Sequence, residues 1–266
     1  MADEESPAYP KVPRSTINRY KPRGKYDYAS IHDIVNTMPI VHVSFPTLDP
    51  EDPFPAVLPM IGFMASFENQ AAGLDEALDL YLHGYVSSRI MRLSKDGGSG
   101  AEKGLPLTVA ATHLDGLVLA LTPNSHSYNY RSAILHGYAT PVTDHEEKVW
   151  AMEEITNSVL ADRWTNTRVP PNKTEMTTTQ ILRVRIVSAS AKIRSGEPHD
   201  DRKDLKDEEM RKKVWVGVVP TWIQYGEPKA CEYNLAGNVP DYVKAFVDGE
   251  NKEGRRKAEE AAMDGG

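Results

Sequence analysis

Five successive β-type runs, separated by turn residues and not by helices, constrain the fold of this chain more than anything else in it. They are PIVHVSF (39–45), FPAVLPMIGFM (54–64), LDLYLHG (78–84), LPLTVAATHLDGLVLAL (105–121) and YRSAILHGYATPV (130–142). Val, Ile, Leu and Tyr dominate each run, and Pro, Gly, Asn and Asp fill the gaps between them. Parallel neighbours would need long crossover connections, so short gaps favour antiparallel pairing. The expected fold is mainly β with some α, an antiparallel barrel or sandwich carrying a few peripheral helices.

The remaining segments fit around that frame. Residues 1–24 hold four prolines and scattered charges and read as an extended arm. In DYASIHDIVNTMP, Ile31, Ile34, Val35 and Met38 recur at helical spacing, and Pro39 ends the helix. A second helix is expected in VTDHEEKVWAMEEITNSVLADRW, with a stripe of Val149, Met152, Ile155 and Val159 and a capping box of Thr143 and Glu146. Strands resume at TQILRVRIVSASAKIR (179–194) and VWVGVVPTWIQYG (214–226), with the charge-dense HDDRKDLKDEEMRKK (199–213) as a solvated loop between them. GGSG at 97–100 reads as a flexible loop that lacks the lysine and spacing of a P-loop. A last short helix near PDYVKAFVDG, capped by Asn238, precedes a charged tail expected to fray. The division is an arm at 1–24, a domain at 25–226, and a C-terminal helix and tail at 227–266.

Composition excludes several classes of function. The 266 residues carry 31 Lys and Arg against 38 Asp and Glu, a net charge of −7 with no concentrated basic face, which argues against nucleic-acid binding. Cys231 is the sole cysteine, so there is no internal disulfide and no cysteine-rich metal centre. No apolar leader and no window of membrane-spanning length occur, so a soluble, cytoplasmic protein is expected. HExxH, GxSxG and GxGxxG are all absent, and no metal site is expected.

Three clusters carry chemistry. In YLHGYVSSRIMR (81–92), Ser87 is placed to cap a helix, while Ser88 and Arg89 beside it would suit a phosphate at the helix N-terminus; capping and anion binding are both open. HSYNYRSAILHG (126–137) crowds aromatic, amide and guanidinium groups, and Arg131 suits either a polar aromatic ligand or an ion pair. In SASAKIRSG (188–196), Lys192 and Arg194 share a strand face that would meet solvent or an anion. HLDG (113–116) reads most simply as a β-turn at Asp115-Gly116 joining two strands. Trp215 and Trp222 flank an apolar strand and read as core.

Taken in order and spacing, YLHGYVSSRIMR, THLDGLVLA, HSYNYRSAILHG, SASAKIRSGEP and VWVGVVP resemble the flavin-nucleotide-binding relatives of pyridoxamine 5′-phosphate oxidase, near the nitroimidazole-reductase-like group. The likeness runs from about Arg19 through Trp222. It implies an antiparallel split β-barrel that forms a homodimer and holds FMN at the subunit interface. Pro59 and Met60 would run along the flavin ring, and Leu82 and His83 along the ribityl chain. Ser87, Ser88 and Arg89 would hold the phosphate, Arg131 and Ser132 would begin a ring-contacting strand, and Lys192 and Trp215 would approach from the partner subunit. The activity implied is that of an FMN-dependent oxidoreductase acting on a small organic substrate, with NADH or NADPH as reductant. The alternatives are a flavin-binding module without turnover and a haem-handling protein. No catalytic acid or base is assigned; His83, His126 and Tyr130 are candidates to relay a proton. The residues that bind pyridoxal phosphate in the oxidase itself are not recognisable, so vitamin B6 oxidation is not expected. Neither a membrane nor a nucleic acid is expected as a partner.

Overall fold

The computed structural model describes residues 7–47, 49, 51–95 and 104–263. In chain order the elements are β1 (Gly24–Lys25), α1 (Tyr28–Asn36), β2 (Val41–Phe45), β3 (Ala56–Met60), β4 (Gly62–Ala65), β5 (Asp79–Tyr85), α2 (Arg89–Lys95), β6 (Leu105–Leu119) and β7 (Ser127–Pro141). They continue with α3 (His145–Val159), α4 (Lys173–Thr178), β8 (Thr179–Arg194), α5 (Arg202–Leu205), α6 (Glu208–Lys213), β9 (Gly217–Pro220) and α7 (Asp241–Met263). The GGSG expected to form a loop lies outside the described residues. The chain divides into two compact units, Met1–Thr112 with Ser132–Ala191, and His113–Arg131 with Lys192–Gly266.

In the first unit the strand order is β3-β2-β6-β7-β8-β5-β4, with β2–β3, β2–β6, β4–β5 and β5–β8 antiparallel. The run 54–64 is therefore two strands, and its halves occupy opposite ends of the sheet path. Only Ile61 separates them, and one residue spans at most about 3.6 Å. The two ends of the path must accordingly approach, and the sheet curls on itself. Gly62 sits in that join: a Cβ there would come within 2.8 Å of Leu82 Cδ2 and 3.2 Å of Val41 Cγ2, so glycine lets the strands approach. Gly104 has φ of 90°, and an added Cβ would lie 2.5 Å from the Ala139 carbonyl oxygen, so glycine is required just before β6.

The period-2 patterning holds in this sheet. Val41, Val43 and Phe45 of β2 and Leu105, Leu107 and Val109 of β6 point inward, at about 1.5–3 kcal/mol for each large side chain buried. Helix α1 is capped by Asp27, whose carboxylate accepts from Ser30 N at 2.8 Å, and it buries Ile31, Ile34 and Val35. His32 is buried with them: its Nδ1 lies 2.8 Å from the Leu74 carbonyl and its Nε2 2.7 Å from Tyr9 Oη. A carbonyl only accepts, so Nδ1 carries the proton and Nε2 accepts from Tyr9. Tyr9 itself is buried, which ties part of the expected N-terminal arm to the domain.

Helix α3 is rotated from the expected stripe. Its buried positions are Glu147, Ala151 and Ile155, Val159 is exposed, and its cap is Asp144, which accepts from Glu147 N, in place of Thr143 with Glu146. The reason is Glu147: Tyr81 Oη donates to its carboxylate at 2.9 Å and Arg183 pairs with it at 3.4 Å, so a charged residue faces inward. Ala151 and Ile155 then pack against Phe63, Tyr81 and Ile181. Burial raises the nearby Asp79 carboxyl to about 6 despite the opposing charge of Arg183.

In the second unit β9 pairs antiparallel with β6 from Gly116 to Leu119. No turn forms at Asp115-Gly116, because this ladder keeps β6 extended through both residues and Asp115 is buried. The expected loop at 199–213 contains two short helices, α5 and α6; Asp207 caps the second by accepting from Met210 N. The tail expected to fray is instead helical to Met263 in α7, whose start at Asp241 lies beyond the expected Asn238 cap. Arg255–Glu259 and Arg256–Glu260 pair at i,i+4 along it, Ala258 is fully buried, and the Ala261 carbonyl accepts from Gly196 N at 2.7 Å and Asn129 Nδ2 at 2.9 Å.

Candidate functional site

The turn from β5 into α2 settles the capping half of the first open question. Arg89 begins the helix and the Ser88 carbonyl accepts from Arg92 N at 3.0 Å, so Ser88, and not Ser87, occupies the cap position. Ser88 Oγ, however, is buried without a hydrogen-bond partner, so it does not cap. His83 Nδ1, in β5 before the turn, is likewise buried and unpartnered, and burial pushes its imidazole below the ordinary value, towards the neutral form. Ser87 and Arg89 are exposed. Leaving a buried polar atom unpaired costs about 1–3 kcal/mol. An unpartnered hydroxyl at Ser88 next in sequence to exposed Arg89, with His83 in the preceding strand, suits a polar, anionic ligand group at this turn. Leu82, by contrast, is fully buried and paired on both sides, with Gly62 of β4 and Leu182 of β8.

A second set lies across the sheet. Val57 of β3 pairs with Ser44 of β2, Ser44 with Thr108 of β6, and Thr108 Oγ1 is hydrogen-bonded at 3.0 Å to His136 Nδ1 of β7. The next row holds Pro59, His42 and Ala110. Directly paired residues share a face. These side chains therefore line one half-exposed face, opposite the core face of Val41, Val43 and Phe45. Pro59 is tolerated because β3 ends the sheet path and its missing N–H breaks no central ladder. Met60 and Ser132 also belong to this unit and are half-buried.

The other expected residues belong to the second unit, where several have structural employment. Arg131 donates from Nε and Nη2 to the two oxygens of Asp115, each at 3.0 Å, so the ion-pair alternative holds for it. Arg194 is buried, bound to Asn129 Oδ1 and to the Gly196 and Glu197 carbonyls, and does not share the solvent-facing role expected with Lys192, which is half-buried. Trp215 is 65 % exposed and lies against Gly217, so the core reading for it is corrected; Trp222 is exposed too, beside Gly254. Both were misread because an apolar run reads as core unless its pairing is known, and only Gly217–Pro220 of it is strand. His126 is exposed, with Nδ1 2.9 Å from the Thr122 carbonyl, and Tyr130 is half-buried; with His83 in the first unit, the three proton-relay candidates divide between the units.

His136 was not singled out from the sequence. It stands two residues from Ile134 and Tyr138, and that alternation along β7 was the available signal. Its Nε2 is buried and unpartnered. Among the described residues no group of three His, Cys, Asp or Glu is placed to hold a metal ion, and no helix is long and apolar enough to cross a membrane.

Comparison with curated proteins finds no match. Among solved structures, the flavocytochrome Anf3 from Azotobacter vinelandii superposes with a TM-score of 0.71 at 24% identity, covering 88% of this chain and 97% of that one. The FAD and haem binding protein from Mycobacterium smegmatis superposes with a TM-score of 0.69 at 24% identity, covering 85% and 97%. These likenesses show the fold, the antiparallel split barrel with peripheral helices. The sequence model described as pyridoxamine 5′-phosphate oxidase matches residues 27–193, more than half of the 266. The ordered motifs, the curled antiparallel sheet and this match converge: the chain belongs to the pyridoxamine 5′-phosphate oxidase family.

Proposed function

We propose that the protein is a flavin-dependent oxidoreductase that binds FMN and passes electrons between NADH or NADPH and a small organic molecule, acting as a cytoplasmic homodimer. The observation that carries this reading is the β5–α2 turn, where Ser88 Oγ and His83 Nδ1 are buried and unpartnered next to exposed Arg89. Family membership makes a flavin nucleotide the ligand to expect there. Arg89 would grip the phosphate through its planar fork, and Ser88 would donate its hydroxyl. His83, held neutral by burial, would offer Nδ1 to the polar chain of the nucleotide. Pro59 and Met60 would present β3 to the ring. Bound flavin supplies one- and two-electron transfer. The half-exposed face with exposed Val57 and Ile134 suits a second copy of the chain.

Purified protein should be yellow, and heat-released flavin should be identified as FMN or FAD by its fluorescence before and after phosphodiesterase. A colourless protein that neither FMN nor FAD reconstitutes would refute the reading. The Arg89→Ala variant should bind FMN more weakly by about 1.5–3 kcal/mol, the range for a charged hydrogen bond. Anaerobic reduction by NADH or NADPH followed by reoxidation with candidate acceptors separates an enzyme from a carrier.

A second reading adds haem. The two structural neighbours are, by name, a flavocytochrome and an FAD and haem binding protein, and the described half-exposed face holds a histidine with a buried, unpartnered ring nitrogen.

A further inference from the structure

We infer that residues 226–239 form an arm with which two copies of this chain clasp each other, Tyr233 and Leu235 of one copy covering the exposed strip of Trp215 and Val219 on the other. The inference rests on the homodimer reading and names a segment that holds the pair together. All of these residues belong to the second unit.

The arm is anchored at both ends and held by nothing between them. At its start Tyr225 N donates to Asn251 Oδ1 at 2.7 Å, Asn251 Nδ2 donates to the Tyr225 carbonyl at 2.9 Å, and the Tyr225 ring meets Phe246 of α7 at 5.2 Å. At its end the Pro240 carbonyl accepts from Val243 N and Lys244 N in the first turn of α7. From 226 to 239 the hydrogen bonds among described residues stay inside the segment, Asn234 N to the Cys231 carbonyl at 3.0 Å and Ala236 N to Asn234 Oδ1 at 3.4 Å. A Cβ added at Gly226 or Gly237 would meet nothing within 4 Å. The segment holds neither helix nor strand, and loops beyond about 12 residues without either are uncommon and usually functional. Its tip is apolar, with Tyr233 86% and Leu235 97% exposed. Apolar side chains held out in water favour burial against another surface.

The chain itself carries a surface that fits them. Trp215 lies over Gly217, and by alternation Val219 stands on the same side of β9; both are exposed, and Trp222 and Ile223 are exposed beyond them. Donor and acceptor are thus both uncovered in the single chain, because the arm does not fold back onto its own strip. A two-fold pair covers both arms and both strips at once, since the same two patches meet twice in it. A different partner taking the arm would leave the strip in water. The charges agree: Glu232 adjoins Tyr233 on the arm, and Arg211, Lys212 and Lys213 end α6 just before Trp215. Opposite charges at facing patches fix their register.

The test follows the full-length protein by sedimentation across a concentration series, with Tyr233→Ser/Leu235→Ser as the arm variant and Val219→Ser as the strip variant. All three positions are exposed, so the fold should be kept, as circular dichroism checks. Wild type should dimerise, and both variants should raise the dimer dissociation constant at least tenfold. Cys231, the sole cysteine and exposed in the single chain, gives a second readout that needs no variant. Its alkylation by a maleimide should slow severalfold as wild type passes from single chains to pairs. If wild type dimerises while both variants match its dissociation constant and Cys231 reacts at one rate throughout, the arm is overturned and the homodimer stands. A wild type that stays a single chain at every concentration overturns both.

Discussion

His32 shows how one buried titratable residue writes a pH dependence into the fold. Its imidazole is fully buried and pushed down from 6.5 to about 4, chiefly by burial, against the opposing pull of the Leu74 carbonyl. Unfolded, the ring takes a proton near pH 6.5; folded, it refuses one until about pH 4. The unfolded state therefore binds more protons between those values, and stability is complete above the upper one and lost as pH falls through the window. The loss should reach about 3 kcal/mol, at about 1.4 kcal/mol per unit. Urea unfolding of wild type and His32→Leu at pH 7.5 and 4.5 checks it: the variant should lack this part of the difference, and equal differences would contradict the assignment. At the same scale, the arginines show why identity alone does not give role. Arg131 and Arg89 were both read as ligand contacts, yet Arg131 has Asp115 as a bidentate partner across sixteen residues, whereas Arg89 is exposed beside unpartnered groups. Sequence reveals the cation but not the distant carboxylate that engages it.

Elements were legible where a single period governs them. The strands β2, β5, β7 and β8 lie where alternation and β-branched content place them, and α1 where its apolar spacing does. The misses have a common cause, which is that local signals were outweighed by partners remote in the sequence. Asp115-Gly116 carries a turn signal, yet pairing with β9 keeps it extended. In α3 the carboxylate of Glu147 faces inward because Tyr81 and Arg183 receive it. Helix α7 was cut short because charge density was read as fraying, whereas its charges are spaced to pair along the helix and Ala258 faces inward. Gly249 is the weak point of that helix, since a Cβ there would meet nothing within 4 Å. Gly249→Ala should therefore stabilise by about 0.5–1 kcal/mol, through the lower entropy of the unfolded chain. A rise in helicity and in the urea midpoint would confirm it, and a fall would mean that this face of the helix is covered.

At the scale of the molecule, the half-exposed face of β3, β2, β6 and β7 sets the remaining expectation. It mixes exposed Val57 and Ile134 with His42, Ser44 and Thr108, a composition suited to an interface more than to bulk water. Light scattering should give the mass of two chains, and Val57→Lys should shift the balance towards one; a single-chain mass for wild type would remove the homodimer. Taken alone, the sequence determined the β-rich class, the antiparallel pairing and the family through five ordered motifs, and it left the β5–α2 segment open between a helix cap and a seat for an anion. Those depend on composition, spacing and short connections, which are local and survive any arrangement of the strands. Only the tertiary structure decided that Ser88 does not cap, that Arg131 is already paired, that 54–64 breaks at Ile61 so the sheet curls, and that His136 keeps one ring nitrogen unpartnered in a cleft. Each of these depends on which distant groups meet, and that is set by strand register and not by the order of residues along one strand.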